Sequence, residues 1–269
     1  MKFNWAYCAA IAVAAGLGTM APPLCAQMPP PADAEKVLAD AYHGKSYSPY
    51  AGRGFPSRPL WGDTHLHTAA SMDAGAFGNR LDLRTAYRFA RGKQVVSSNG
   101  TPAKLSRPLD WLVVADHSDN MGFFPDLLAG KPHLLSDATG KDWYDRIQAG
   151  EGVGVALEII SKFSQGKFPE TMLYTPDSAS YKSVWQDTIN AAEEYNQPGE
   201  FTAFIGFEWT SLVKGNNMHR VVVYRDGGDK ASQMVAYTTM PPMGSTNPRD
   251  LWTWMEGYEE KTGGDVLAI

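Results

Sequence analysis

Residues 109–118, LDWLVVADHS, decide the fold: a run of apolar, largely branched side chains stops abruptly at Asp116, His117 and Ser118. A continuous apolar run of this length reads as a strand buried on both faces, which requires a sheet covered by helices. Upstream, GDTHLHT at 62–68 has the same form, a strand running into polar residues, and a helical pattern around Leu81 to Arg91 separates the two. Downstream, helical stretches at about Lys141 to Gln165 and Ala179 to Tyr195 precede two further strand patterns, FTAFIGFEWTS at 201–211 and MHRVVVYRD at 218–226. A helix around Pro248 to Lys261 and a last strand, DVLAI at 265–269, follow. Asn247 suits the cap of that helix and Pro248 its first turn. The alternation predicts an α/β fold of βα units around a mainly parallel sheet, with chemical groups collected where strands end.

The amino terminus has a different character. Residues 1–26 carry Lys2, an apolar stretch from Ala6 to Leu17 and the small-residue exit LCAQ, the pattern of a cleaved secretory signal peptide. The apolar run falls short of the roughly 20 residues of a spanning helix, so stable membrane insertion is not expected. A lipoprotein leader would use Cys25, but Pro22, Pro23 and Leu24 fit such a site poorly. Residues 27–60 read as a short helix and a Gly/Pro/Ser-rich linker, and 61–269 as the organised domain. Both cysteines, Cys8 and Cys25, fall within the leader, so the expected mature, periplasmic or secreted chain has no disulfide, thiol nucleophile or zinc-thiolate site. With 24 basic against 29 acidic residues and no basic run, nucleic acid is excluded as an expected partner.

Chemistry-bearing residues gather at the strand ends. On a regular strand His65 and His67, two apart, project to one face, and the same alternation adds Asp63. His117 and Asp116 close the next strand, Glu208 follows FIGF, and His219 opens HRVVVY. Any one histidine is by default an ordinary core or surface residue. Together, the group places nitrogen and carboxylate donors on one rim, the donor set of a divalent cation site. Asp116 is expected to orient a ligand rather than to be one. Arg220 and Lys214 are candidates to neutralise an anion, and a solvated surface role is their plain alternative. His43 and His133 read as surface residues, and Trp61, Trp111 and Trp209 as either core packing or pocket walls.

The ordered segments GDTHLHT, VVADHSD, FIGFEWTS and MHRVVVY resemble the PHP (polymerase and histidinol phosphatase) superfamily, in particular a secreted branch that opens with GDxHxHT followed by a helix of the type AYRFARG. The resemblance rests on 61–117 and 201–269. It implies a distorted (β/α) barrel, incomplete here at the carboxyl end, holding two or three divalent ions of manganese, zinc or iron. Carried over, His65 and His67 would bind one ion, Asp73 would match a downstream acidic ligand, His117 would serve a second ion, Glu208 would bridge, and His219 would match the histidine after the glutamate motif. Family members continue beyond DVLAI with a further histidine and an Asp-x-His pair. The chain is therefore expected to be a fragment that binds metal weakly.

The reaction expected from the resemblance is hydrolysis of a phosphate ester or related anionic ester, such as an organosulfate, by metal-activated water, with Glu208 and Arg220 as catalytic candidates. No GxSxG elbow, P-loop or sulfatase signature competes with it. Two alternatives stay open: an amidohydrolase-type C–N hydrolase, which also opens with HxH but ordinarily uses a bridging lysine, and a secreted glycan-binding module with structural metals.

Overall fold

The structure, a computed structural model, describes residues 58–269, and these form one compact unit. The leader, most of the linker and His43 lie outside the described residues. The chain runs β1 (Gly62–Leu66), α1 (Met72–Ala76), α2 (Leu83–Ala90), β2 (Val95–Val96), β3 (Pro102–Ala103) and β4 (Trp111–Val114). Helices α3 (Phe123–Leu128), α4 (Pro132–Leu135), α5 (Ala138–Gln148), α6 (Gly152–Ser164) and α7 (Ala179–Tyr195) come next, followed by β5 (Thr202–Phe204), β6 (Gly206–Val213), β7 (Asn216–Tyr224), α8 (Gly228–Ala231), α9 (Pro248–Thr262) and β8 (Val266–Ala268).

The helix ends follow local chemistry. The side chains of Asp82, Ser178 and Asn247 accept bonds from Thr85, Tyr181 and Arg249 backbone N–H groups at the starts of α2, α7 and α9. Pro248 occupies the first turn of α9, and Gly263, at φ 62°, ends it in the left-handed region that suits glycine.

The fold is mixed α/β. Strands β1, β4 and β5 form a parallel sheet in the order β1-β4-β5. The expectation of a mainly parallel sheet does not extend further, because β6, β7 and β8 form an antiparallel sheet in that order. Its cause is the turn joining β6 to β7, where Lys214 and Gly215 both take positive φ, 53° and 82°. Two consecutive residues in that region make a tight hairpin turn whose twist matches the strands. The sheets adjoin: Ile205 alone separates β5 from β6, and an isolated parallel bridge pairs His117, just past β4, with Glu208. Gly206 permits this approach, since a Cβ there would lie 2.4 Å from the Val113 side chain.

The sheets have two packed faces. Leu112, Val114, Phe207, Val222 and Tyr224 join the main core beneath the helices, where Phe207, Tyr224, Trp254 and Tyr258 pack ring to ring. Val113, Ala115 and Val221 form a second cluster on the other face, flanked by Trp111, Phe204 and Val223. Strand alternation continues this second face into His117, Glu208, Thr210 and His219.

Candidate metal centre

Glu208 lies at the middle of the site. Its side chain is 0 % exposed, and four imidazoles surround the carboxylate. His65 Nε2 and His219 Nδ1 lie 3.2 and 2.7 Å from Oε1, while His67 Nε2 and His117 Nδ1 lie 3.0 and 3.1 Å from Oε2. Yet neither Glu208 oxygen has a hydrogen-bond partner, and neither does the buried Nε2 of His67. Lone pairs of nitrogen and oxygen thus converge without the protons in line that would normally join them. Buried polar groups left in this state are costly, and a shared cation relieves them.

Asp73 forms a second focus. Its two oxygens are both 3.0 Å from His67 Nδ1, and Oδ2 is 3.5 Å from His117 Nε2. Three overlapping groups can hold a metal ion: His65, His67 and Glu208; His67, Asp73 and His117; and His117, Glu208 and His219. Within each, the donor atoms lie within 4.8 Å of one another. The donor set, imidazole and carboxylate without sulfur, suits divalent zinc, manganese or iron.

The electrostatics express the same demand for positive charge. Burial opposes protonation of His67, but the Asp73 and Glu208 carboxylates outweigh it and push the ring up to about 10. Burial likewise opposes ionisation of Glu208, and the surrounding His67, His117 and His65 rings hold it down at about 2. Asp73 is held well below the usual carboxylate range, since the His117 and His67 rings overcome its burial. A bound cation would take the place of these protons.

Two residues not singled out in the sequence organise the ligands. Thr210 Oγ1 is 2.9 Å from His117 Nδ1 and 3.0 Å from His219 Nδ1, so one hydroxyl spans two rings. Its signal was the strand period, two residues after Glu208 on the same face. Ser71 donates to Asp73 Oδ1 at 2.6 Å and accepts from the His117 backbone N–H at 3.2 Å.

Other expectations are redirected. Asp63 does not share the histidine face: β1 pairs Asp63 with Leu112 but Leu66 with Val114, so three steps on one strand match two on the other. That bulge turns His65 and His67 toward Glu208 and leaves the Asp63 carboxylate accepting the His65 backbone N–H at 2.8 Å. Asp116, buried, orients no ring, since its oxygens take the backbone N–H and hydroxyl of Thr68 and so fix the turn after His67. Glu208 is not the end of its strand, because the hairpin carries β6 on to Val213. Arg220 is not brought to the cluster: it pairs with Trp209 across the ladder, on the face opposite His219, and donates to the His219 carbonyl at 2.6 Å. Lys214 sits in the exposed hairpin turn. His133 is exposed, 3.0 Å from the Tyr174 hydroxyl, and Trp209 is core, whereas Trp61 is exposed.

A mixed α/β chain with a nest of four histidines and two carboxylates belongs to the class of proteins able to hold a metal ion on a sheet rim. More particularly, the chain belongs to the family described as "Protein of unknown function (DUF3604)", which matches residues 55–269. No curated protein and no solved structure matches it. Among the described residues, no helix is long and apolar enough to cross a membrane.

Proposed function

We propose that this protein is a metal-dependent hydrolase of phosphate esters or related anionic esters such as organosulfates, in the manner of the PHP superfamily. The observation that carries the reading is Glu208, fully buried, with both oxygens unbonded among four imidazoles. His65, His67, Asp73, His117, Glu208 and His219 would hold two or three divalent ions, manganese, zinc or iron, with Glu208 shared between sites. Such ions, when bound, lower the pKa of a coordinated water towards about 7 and polarise an ester oxygen. The adjoining sheets, joined at Ile205 and by the His117–Glu208 bridge, are proposed as arcs of one distorted PHP-type barrel.

The chain's own groups divide the remaining work. Glu208 fixes the mutual positions of rings from β1, the end of β4 and β7. Thr210 holds the His117 and His219 rings in register, and Ser71 fixes Asp73, whose side chain is 43 % exposed and so faces incoming ligand. In the overall reaction the water oxygen bonds the phosphorus or sulfur, the ester oxygen leaves, and a proton from the water ends on the departing alcohol. A carboxylate in the shared position, where an amidohydrolase ordinarily uses lysine, favours the ester reading. The exported-type leader supports a periplasmic or secreted location.

The test is metal content by elemental analysis, together with phosphate- and sulfate-ester panels run with manganese, zinc or iron. Release from at least one ester class, abolished by a chelator, is the expected result. Stoichiometric metal with no turnover on any ester would overturn the enzyme reading and leave a metal-bearing binding module.

A further inference from the structure

A cleft of about 820 Å³ opens directly beside the cluster, with Asp73, His117 and His219 at one end. One stretch of its wall is apolar, with Ile160 and Phe163 from α6, Phe168 and Leu173 from the segment after it, Leu212 from the β6 arm, and Met240, while Ser164, Asn217, Thr239 and Thr246 add uncharged polar groups. Phe163 and Phe168 meet edge to face at 5.4 Å, which gives the wall a defined aromatic surface. Among the described residues, the lining includes no lysine or arginine, while Asp119 and Glu170 add negative charge. Asp119 is committed elsewhere, accepting Thr239 N–H and Oγ1 bonds at 2.8 and 2.7 Å.

These features divide a ligand into two parts. One anionic group can be met by the cluster end, where positive charge is demanded. A second anionic group would enter a cleft with no cation to receive it and two carboxylates to repel it. An apolar group would instead exchange water for six apolar side chains.

We infer that the substrate is an ester of a single phosphate or sulfate group with an aryl or branched-alkyl alcohol, the alcohol seated against Phe163, Phe168 and Leu212. Ligands with a second anionic group, such as bisphosphates and nucleoside polyphosphates, are poor ligands. The inference rests on the anionic-ester reading above, to which it adds the alcohol side of the substrate.

Non-hydrolysable phosphonates separate the two claims. The manganese-loaded full chain is titrated with methylphosphonate, 1-naphthylmethylphosphonate and phosphonoacetate, read by thermal shift and tryptophan fluorescence. Neutral 1-naphthalenemethanol is titrated in parallel. The naphthyl compound should bind at least about tenfold more tightly than methylphosphonate, as burial of a ring in an apolar pocket implies, and phosphonoacetate more weakly than either. Phe163→Ser and, independently on the exposed arm, Leu212→Ser should each reduce the naphthyl advantage severalfold while leaving methylphosphonate binding unchanged. Equal binding of the two probes that carry a phosphonate alone, or an advantage that both variants retain, overturns the inference. Binding of naphthalenemethanol lost in both variants, with no phosphonate bound, would uphold the apolar cleft and sink the ester reading beneath it.

Discussion

The parallel and antiparallel halves of the molecule contribute to the centre in different ways. From the parallel half, His65, His67 and His117 come from the end of β1 and the segments just past β1 and β4, where backbone pairing is ending and loop contacts such as Asp116 to Thr68 must take over. From the antiparallel half, Glu208, Thr210 and His219 come from within β6 and β7, paired residue by residue. The carboxylate common to two of the three candidate groups thus sits on the more continuously paired support, and the rings that converge on it from the parallel half depend on turns. The mid-ladder ring of His219 takes its helper, Thr210, from the ladder itself, whereas the segments just past β1 and β4 are fixed by loop contacts of Ser71, Thr68 and Asp116.

Glu208→Gln should break the comparison most severely. We expect metal content to fall to background, turnover to vanish, and the metal-free protein to lose about 3 kcal/mol in a denaturant titration, because a buried charge partner is removed from His67. His65→Ala, at a ring 49 % exposed, should cost less than about 1 kcal/mol in the same titration. A drop for His65→Ala as large as that for Glu208→Gln would remove the distinction between the halves.

Next in size are the organising hydroxyls. Thr210→Val and Ser71→Ala should each weaken metal binding by about 10- to 100-fold with unchanged secondary structure, read by competition with a chromogenic chelator. Full affinity in Thr210→Val would show that the ladder alone positions His117 and His219.

The pH dependence sharpens the picture with a smaller, graded effect. His67 is raised from 6.5 to about 10, so its contribution to metal-free stability is complete below pH 6.5 and is lost as pH rises through about 10. Glu208 is lowered from 4.5 to about 2, so its contribution is complete above pH 4.5 and is lost as pH falls towards 2. For these two groups the metal-free protein is most stable between pH 4.5 and 6.5. Metal competes with the His67 proton, so the stabilisation by added metal should grow above pH 6.5. Thermal melts with and without chelator at pH 5.5 and 8.5 measure this, and a metal effect that shrinks with pH would contradict it. Smallest of all, Arg220→Ala should leave metal affinity unchanged, as expected of a side chain on the opposite face.

The main strands and longer helices were legible because their causes are local: the apolar run at 111–115, Asn247 as a cap, and Pro248 in a first turn. The candidate ligands were legible because residues of the right chemistry flank apolar strand patterns and match the resemblance's motifs, and the structure brings all six together although Glu208 and His219 lie within strands and Asp73 within a helix. The reversal of direction after β6 was missed because Lys214-Gly215 is a weaker hairpin signal than Asn-Gly or Asp-Gly. Arg220 was misjudged by treating adjacency to His219 as proximity to the site, although neighbours on a strand face opposite ways. Asp63 was misjudged for a different reason, since regular alternation cannot anticipate a bulge that arises only when β1 is laid against β4.

That bulge behaves as a frame shift written into the backbone rather than the chain's letters. Counting alternate positions from Asp63 selects a carboxylate in phase with two imidazoles, but the extra step in β1 puts the carboxylate out of phase. Removing one residue between Asp63 and Leu66 would restore strict phase with β4 and exchange which side chains meet Glu208. The spacing within GDTHLH is therefore itself part of the geometry: a chain that kept the histidines but changed the count before them would present a different set of donors to Glu208.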